Sequence, residues 1–277
     1  MDNEITVKSE SLDIVQTLEC GQVFRFYKEN DGYFVTSKDQ RAFLEKVGDN
    51  IVIKCTDKDY FLSYFDLNTD YSKIKNRLKD KPLMDKAIKF GSGIRILRQD
   101  LFETVISFII SANNHIPRIK GIIERLCVSL GEKKEGYFAF PTPEKMASAN
   151  LSFYESIGAG YRADYLYNTA RMIAEGFNLE KVYEMETFDA VKYLCKLKGV
   201  GEKVANCILL FGAGKMDTFP VDTWIKKVYA DIFGENVNSG EMCRKLIELY
   251  GKDSGYAQQY LFYYKREKED ENSGDVS

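Results

Sequence analysis

Lys203 and Asp222 are the pair whose types and spacing could make and break a covalent bond. A neutral lysine amine is a nucleophile toward electrophilic carbon. Lys203 lies in Tyr193-Leu-Cys-Lys-Leu-Lys-Gly-Val-Gly-Glu-Lys-Val-Ala-Asn-Cys-Ile-Leu-Leu-Phe211, in the first turn of a helix opening after Gly201. The positive end of a helix dipole disfavours an ammonium there, so the place suits a nucleophile better than a structural lysine. Asp222 follows Thr218-Phe-Pro-Val and starts an apolar pattern through Ile225, Val228, Tyr229 and Ile232, where an N-cap stands. Taken singly, a solvated surface lysine and a capping aspartate explain both. The chemical reading rests on the two together, behind one hairpin.

In that hairpin Gly199 and Gly201 bracket Val200. Glycines there permit positive φ and close approach of a backbone. The free amides of the hairpin and of the new helix can together grip a phosphate, a DNA contact independent of sequence. A glycine C-cap followed by a new helix is the plain structural alternative.

The elements that must position these residues divide in two. Residues 20–56 predict an antiparallel sheet: Val23–Tyr27, Tyr33–Thr36, Arg41–Val47 and Ile51–Cys55, with turns at Asn30-Asp31-Gly32 and Gly48-Asp49-Asn50. Beyond Asp57 the pattern turns helical, with a lysine-rich stretch over Lys73–Phe90, a buried helix over Leu101–Ala112, an amphipathic one over Ile116–Leu130 and further helices at Pro141–Ala149 and Tyr161–Gly176. Sheet first and helices after imply an α+β fold: an N-terminal antiparallel sheet domain over 1–90, a mostly helical domain over 91–264, and a charged, disordered tail over 265–277.

Composition narrows the function. With 277 residues, 44% of them hydrophobic and 29% charged, the chain reads as a soluble enzyme, without the long apolar run that a membrane helix needs or the order of a signal peptide. The expected setting is intracellular and DNA-associated (cytoplasm and nucleoid, if bacterial). Cys20, Cys55, Cys127, Cys195, Cys207 and Cys243 form no C-x-x-C pair, which argues against zinc, redox and iron–sulfur motifs and leaves buried free thiols. His115 is the one histidine, too few for a Ser-His-Asp triad or a histidine zinc site. A net charge of −3 counts against a nucleic-acid binder, although a local basic face can hide in a balanced total.

The stretch of hairpin, lysine and Pro-Val-Asp loop resembles the signature of helix-hairpin-helix DNA glycosylases. Other segments resemble the 8-oxoguanine branch: Gly21-Gln-Val-Phe-Arg-Phe26, Gly93-Ile-Arg-Ile-Leu-Arg-Gln-Asp100, Ser107-Phe-Ile-Ile-Ser-Ala-Asn-Asn114, Ile119-Lys-Gly-Ile-Ile-Glu-Arg-Leu-Cys127, Gly158-Ala-Gly-Tyr-Arg-Ala163 and Gly255-Tyr-Ala-Gln-Gln-Tyr-Leu-Phe262. The resemblance runs from about Gly21 to Phe262.

What it implies is a helical helix-hairpin-helix glycosylase domain behind the sheet, and a monomer that excises 8-oxoguanine from double-stranded DNA and nicks the abasic product. Lys203 would attack C1′ and Asp222 would support it. Gly21, through its carbonyl, Cys207, Gln258 and Phe262 would hold the base. Asn113, Asn114, Arg118, Tyr161 and Arg162 would contact DNA beside Gly199 and Gly201, with Tyr161 and Asn113 as wedge and Arg118 and Arg162 reading the orphaned cytosine. Carbonyls of Cys195, Leu197 and Val200 would hold a structural monovalent or divalent cation, with no organic cofactor and no iron–sulfur cluster. Two departures stand out: His115 where the family often has a third asparagine, and Trp224 where it often has a histidine. Rival readings are a monofunctional glycosylase for alkylated purines, which the lysine argues against, and a DNA-binding module without catalysis, which needs neither the lysine nor a base pocket.

Overall fold

A computed structural model describes residues 3–274. Five strands, β1 (Asn3–Lys8), β2 (Phe26–Glu29), β3 (Gly32–Ser37), β4 (Gln40–Val47) and β5 (Asn50–Cys55), form one antiparallel sheet in the order β1-β5-β4-β3-β2. Register places Ile5 opposite Ile53 and Tyr33 opposite Leu44, so alternate residues build one apolar face. That face closes on Phe61, Tyr64 and Phe65 from the helix Lys58–Tyr64 and the residue after it. The lysine-rich stretch divides into two helices, Tyr71–Leu78 and Met84–Phe90. Pro82 and the left-handed Leu83 (φ +62°) break it, since a proline can neither donate to the preceding turn nor leave its neighbour helical.

The helical part is built around α1 (Leu101–Ser111), in which Val105, Ile106, Ile109 and Ile110 are all buried. Around it lie α2 (Ile116–Leu130), α3 (Arg162–Ala174), α4 (Thr187–Leu194), α5 (Glu202–Phe211), α6 (Thr223–Phe233), α7 (Ser239–Tyr250) and α8 (Ser254–Gly274). Phe108 of α1 stacks on Phe211 of α5 at 5.5 Å between ring centres, which fixes the hairpin helix on the core.

Residues 265–277 are read from sequence as a disordered tail, and the structure corrects this over most of their length. Helix α8 continues to Gly274, and residues 275–277 lie outside the described residues. Lys265 pairs with Asp231 of α6 at 2.8 Å and Lys227 of α6 pairs with Glu269, so charges that look like a solvated run are the rungs between two helices.

A buried ion pair joins the sheet to the helices. Arg25 meets Glu103 of α1 at 3.3 Å, with both side chains 7% exposed. Glu103 also accepts the Lys38 amide at 2.6 Å, and Arg25 donates to the Phe138 carbonyl at 2.5 Å. Glu103→Ala strands a buried guanidinium and should cost about 3–5 kcal/mol. Chemical denaturation measures it, and a loss below about 1 kcal/mol would remove the pair from this account.

Candidate active site

The hairpin turn runs from Cys195 at the end of α4 to Gly201 at the head of α5. Gly199 has φ +79°, and a Cβ there would stand 2.7 Å from the Tyr165 ring of α3. Gly201 differs from expectation: its backbone is extended (φ −95°, ψ 179°), and a Cβ would meet open space. Glycine at 201 therefore answers no local strain; it leaves the head of α5 uncovered. The Thr169 hydroxyl of α3 donates to the Lys198 carbonyl at 2.8 Å and pins the turn. The carbonyls of Cys195, Leu197 and Val200 fall within this turn, and that of Leu197 accepts the Val200 amide at 3.2 Å. Carbonyl oxygens are donors for a hard cation. Among the described residues no three His, Cys, Asp or Glu side chains converge as a metal site.

Lys203 is exposed at the mouth of a small pocket of about 70 Å³, which Gly21, Phe108, Cys207, Asp222, Gln258 and Phe262 help to line. Its Nζ lies 5.9 Å from the centre of the Phe108 ring. Asp222 caps α6, its Oδ1 accepting the Ile225 amide at 2.9 Å. Burial pushes the Asp222 carboxyl up, against the pull of that amide and of the Lys203 charge. Burial likewise pushes the Cys207 thiol up, and Lys203 beside it offsets this only in part. Burial thus disfavours the thiolate at Cys207. Gln258 is 4% exposed, and among the described residues its buried Oε1 has no hydrogen-bond partner, an acceptor that awaits a donor. A larger groove of about 580 Å³ between α4 and α7 shares Lys203 but lacks Asp222 and any such unpartnered acceptor.

Beside the pocket, the loop between α1 and α2 meets the start of α3. Tyr161 is 56% exposed, and Asn113 is exposed in a left-handed conformation (φ +49°). Tyr161 donates to the Ala112 carbonyl at 3.1 Å, so the two lie on one rim. Arg118 is exposed on the same rim, donating to the Gly158 carbonyl at 3.2 Å. Arg162 is different: it is 2% exposed, and its guanidinium donates to the carbonyls of Ala112, Asn113 (2.7 Å) and Ala159 (3.4 Å). Asn114 is also spent locally, donating to the Ile110 carbonyl at 3.0 Å and accepting the His115 amide at 3.0 Å. In the free protein these two side chains brace the loop that presents Asn113.

A protein-family model for the 8-oxoguanine DNA glycosylase N-terminal domain matches residues 4–105, and one for HhH-GPD superfamily base excision DNA repair proteins matches residues 106–252. The chain belongs to the HhH-GPD superfamily of base-excision DNA repair proteins. A probable N-glycosylase/DNA lyase of Methanothermobacter thermautotrophicus is 34% identical over 73% of this chain and 72% of its own. The N-glycosylase/DNA lyase OGG1 of Arabidopsis thaliana is 29% identical over 91% of this chain and 76% of its own. A solved structure of Clostridium acetobutylicum 8-oxoguanine glycosylase/lyase, in complex with double-stranded DNA containing cytosine opposite the lesion, superposes with a TM-score of 0.92 at 37% identity, covering 97% of each chain.

Some site residues of this HhH-GPD protein carry no signal in the sequence. Phe108 is one apolar residue in a continuous run, and only the packing of α1 on α5 sets it behind Lys203. Gln259, which also lines the pocket, is hidden behind its neighbour Gln258. Arg266, over the Phe262 ring at 5.4 Å, lies in the segment read as a tail.

Two predictions follow from this geometry. Gly199→Ala should lower stability by about 1–2 kcal/mol or more, from the left-handed backbone and the Tyr165 clash. Gly201→Ser, a better N-cap at an open position, should keep the melting temperature and weaken duplex DNA binding whatever the sequence. Thermal melts and binding titrations check both. In Asp222→Asn the cap remains but the charge goes. Because the folded-state carboxyl is raised, its ionisation opposes folding at neutral pH, and the cost vanishes below about pH 4 where the unfolded carboxyl also protonates. The variant should therefore be at least as stable as the native protein at pH 7, with the difference closing in acid.

Proposed function

We propose that this protein removes 8-oxoguanine from duplex DNA and nicks the abasic strand, with Lys203 as nucleophile. The observation that carries the reading is Gln258, which lines the pocket at whose mouth Lys203 stands and whose buried Oε1 has no hydrogen-bond partner among the described residues. A purine cannot reach that pocket from within the stack, so the nucleotide must rotate out of the duplex. Asn113 and Tyr161 are exposed on one rim and suit the space it vacates; Arg118 suits the cytosine left behind, by donating to its base edge. Arg162 and Asn114 support them from behind. Gly201 and the head of α5 take a backbone phosphate. A structural cation on the carbonyls of Cys195, Leu197 and Val200 would stiffen the turn for that contact, and the reaction itself needs no organic cofactor.

In the pocket, Phe262 stacks on the base, Cys207 closes the opposite wall and Gln258 bonds the Watson–Crick edge. The Gly21 carbonyl accepts the N7 hydrogen of 8-oxoguanine. Guanine presents a lone pair at N7 instead, so the same oxygen repels it. The Lys203 amine attacks C1′, and the electron pair of the glycosidic bond leaves with the base, which takes up a proton. Asp222 stabilises the positive charge that develops on the sugar. The sugar ring then opens to an imine on Lys203, and loss of a C2′ proton expels the 3′ phosphate. The relatives named as N-glycosylase/DNA lyases support the coupling of both steps.

Single-turnover base release from a duplex with 8-oxoguanine opposite cytosine tests this. Lys203→Gln should lower the rate by at least about 10³-fold while the lesion duplex still binds. Asp222→Asn should lower it by at least about 10²-fold. Base release by Lys203→Gln at the native rate would overturn the assignment.

A further inference from the structure

Four consecutive carbonyls, from Glu19 to Gln22, pass beside the base pocket. Arg266 of α8 donates to that of Glu19 at 2.8 Å. Gln259 of α8 donates to that of Cys20 at 3.0 Å. Gln99 donates to that of Gln22 at 2.7 Å. Among the described residues no donor reaches the carbonyl of Gly21, a residue that lines the pocket. The side chain of Gln22 is also fixed, donating to the Thr17 and Arg95 carbonyls at 2.8 and 2.7 Å and accepting the Leu97 amide at 2.9 Å. Gln259 is 2% exposed and Gln22 fully buried, so water does not compete for these bonds.

We infer that Gln259 and Gln99, with Arg266, are positioning residues that fix the peptide planes on either side of Gly21 and so set the preference for 8-oxoguanine. The inference rests on the proposed role of the Gly21 carbonyl. The two bases differ at N7 by a hydrogen against a lone pair. An oxygen free to swing aside would tolerate both. An oxygen whose neighbours are tied down on both sides, with glycine at φ +84° between them, keeps its place and repels guanine. Arg266 also lies close to Gly21, its Nη1 3.2 Å from where a Cβ at position 21 would stand.

The test is the ratio of two rates on one enzyme preparation: release of 8-oxoguanine and release of guanine from duplexes that differ only in that base. Both use Lys203, and the two duplexes differ only in what the base presents at N7 and C8. Borohydride trapping on the abasic duplex counts the competent molecules, so partial misfolding does not distort the comparison. Gln259→Leu should lower the ratio by about 10-fold or more, and so should Gln99→Glu, which keeps the size and loses the donor. Equal losses in both reactions would show a merely structural role and overturn the inference. Gly21→Ala is run in parallel. If it lowers the ratio and the glutamine variants do not, this inference alone falls. If Gly21→Ala leaves the ratio at the native value, the role of the Gly21 carbonyl falls and the inference with it.

Discussion

The structure depends on a lysine amine held near a carboxylate that is already engaged elsewhere. Lys203 stands in the first turn of α5, and Asp222 stands at the N-cap of α6 with one oxygen on the Ile225 amide. In the proposed reaction a direct ion pair would tie the amine down, and a distant carboxylate would leave the developing charge on the sugar without support. Capping resolves this conflict. The helix head holds the carboxylate at a fixed place, favourable for an anion, and its charge still acts on Lys203. Pro220 on one side and the glycine turn on the other bring the two helix heads together.

The pocket has walls from parts of the chain far apart in sequence, and the packing between those segments unites them. Gly21 comes from the segment leading into the sheet, Lys203 and Cys207 from the hairpin helix, and Gln258 and Phe262 from the last helix. Arg25 and Glu103 lock the sheet to the central helix, and the Gln22 carboxamide locks the Gly21 segment to the strand-like stretch 93–99. The segment expected to be strand from Val23 enters the sheet only at Phe26, because residues 22–25 are used for this locking.

The hairpin, the central helix and most of the sheet are legible in the sequence because their signals are local: glycine spacing, apolar periodicity and turn residues. Helix Ile116–Leu130 matches its expected bounds, and four of the five strands lie where alternation puts them, β2 with a late start. What is not legible depends on partners distant in sequence. Strand β1 is rich in polar residues, and its pairing with β5 makes it a strand. The continuation of α8 depends on Asp231 and Lys227 of another helix. Arg162 looks like a free arginine after a glycine pair, yet the carbonyls of the 112–113 loop draw it inside. The free Gly21 carbonyl is invisible for the same reason, since it is defined by three neighbours that other segments occupy.

The most direct measurement of the central claim is a peptide map of the borohydride-trapped complex with DNA carrying 8-oxoguanine opposite cytosine. Reduction converts the imine to a stable amine, so a sugar remnant marks the lysine that attacked. The account predicts that the remnant sits on Lys203, within the peptide that follows the glycine turn. A remnant on another lysine, or no trapped complex while the base is still released, would contradict it.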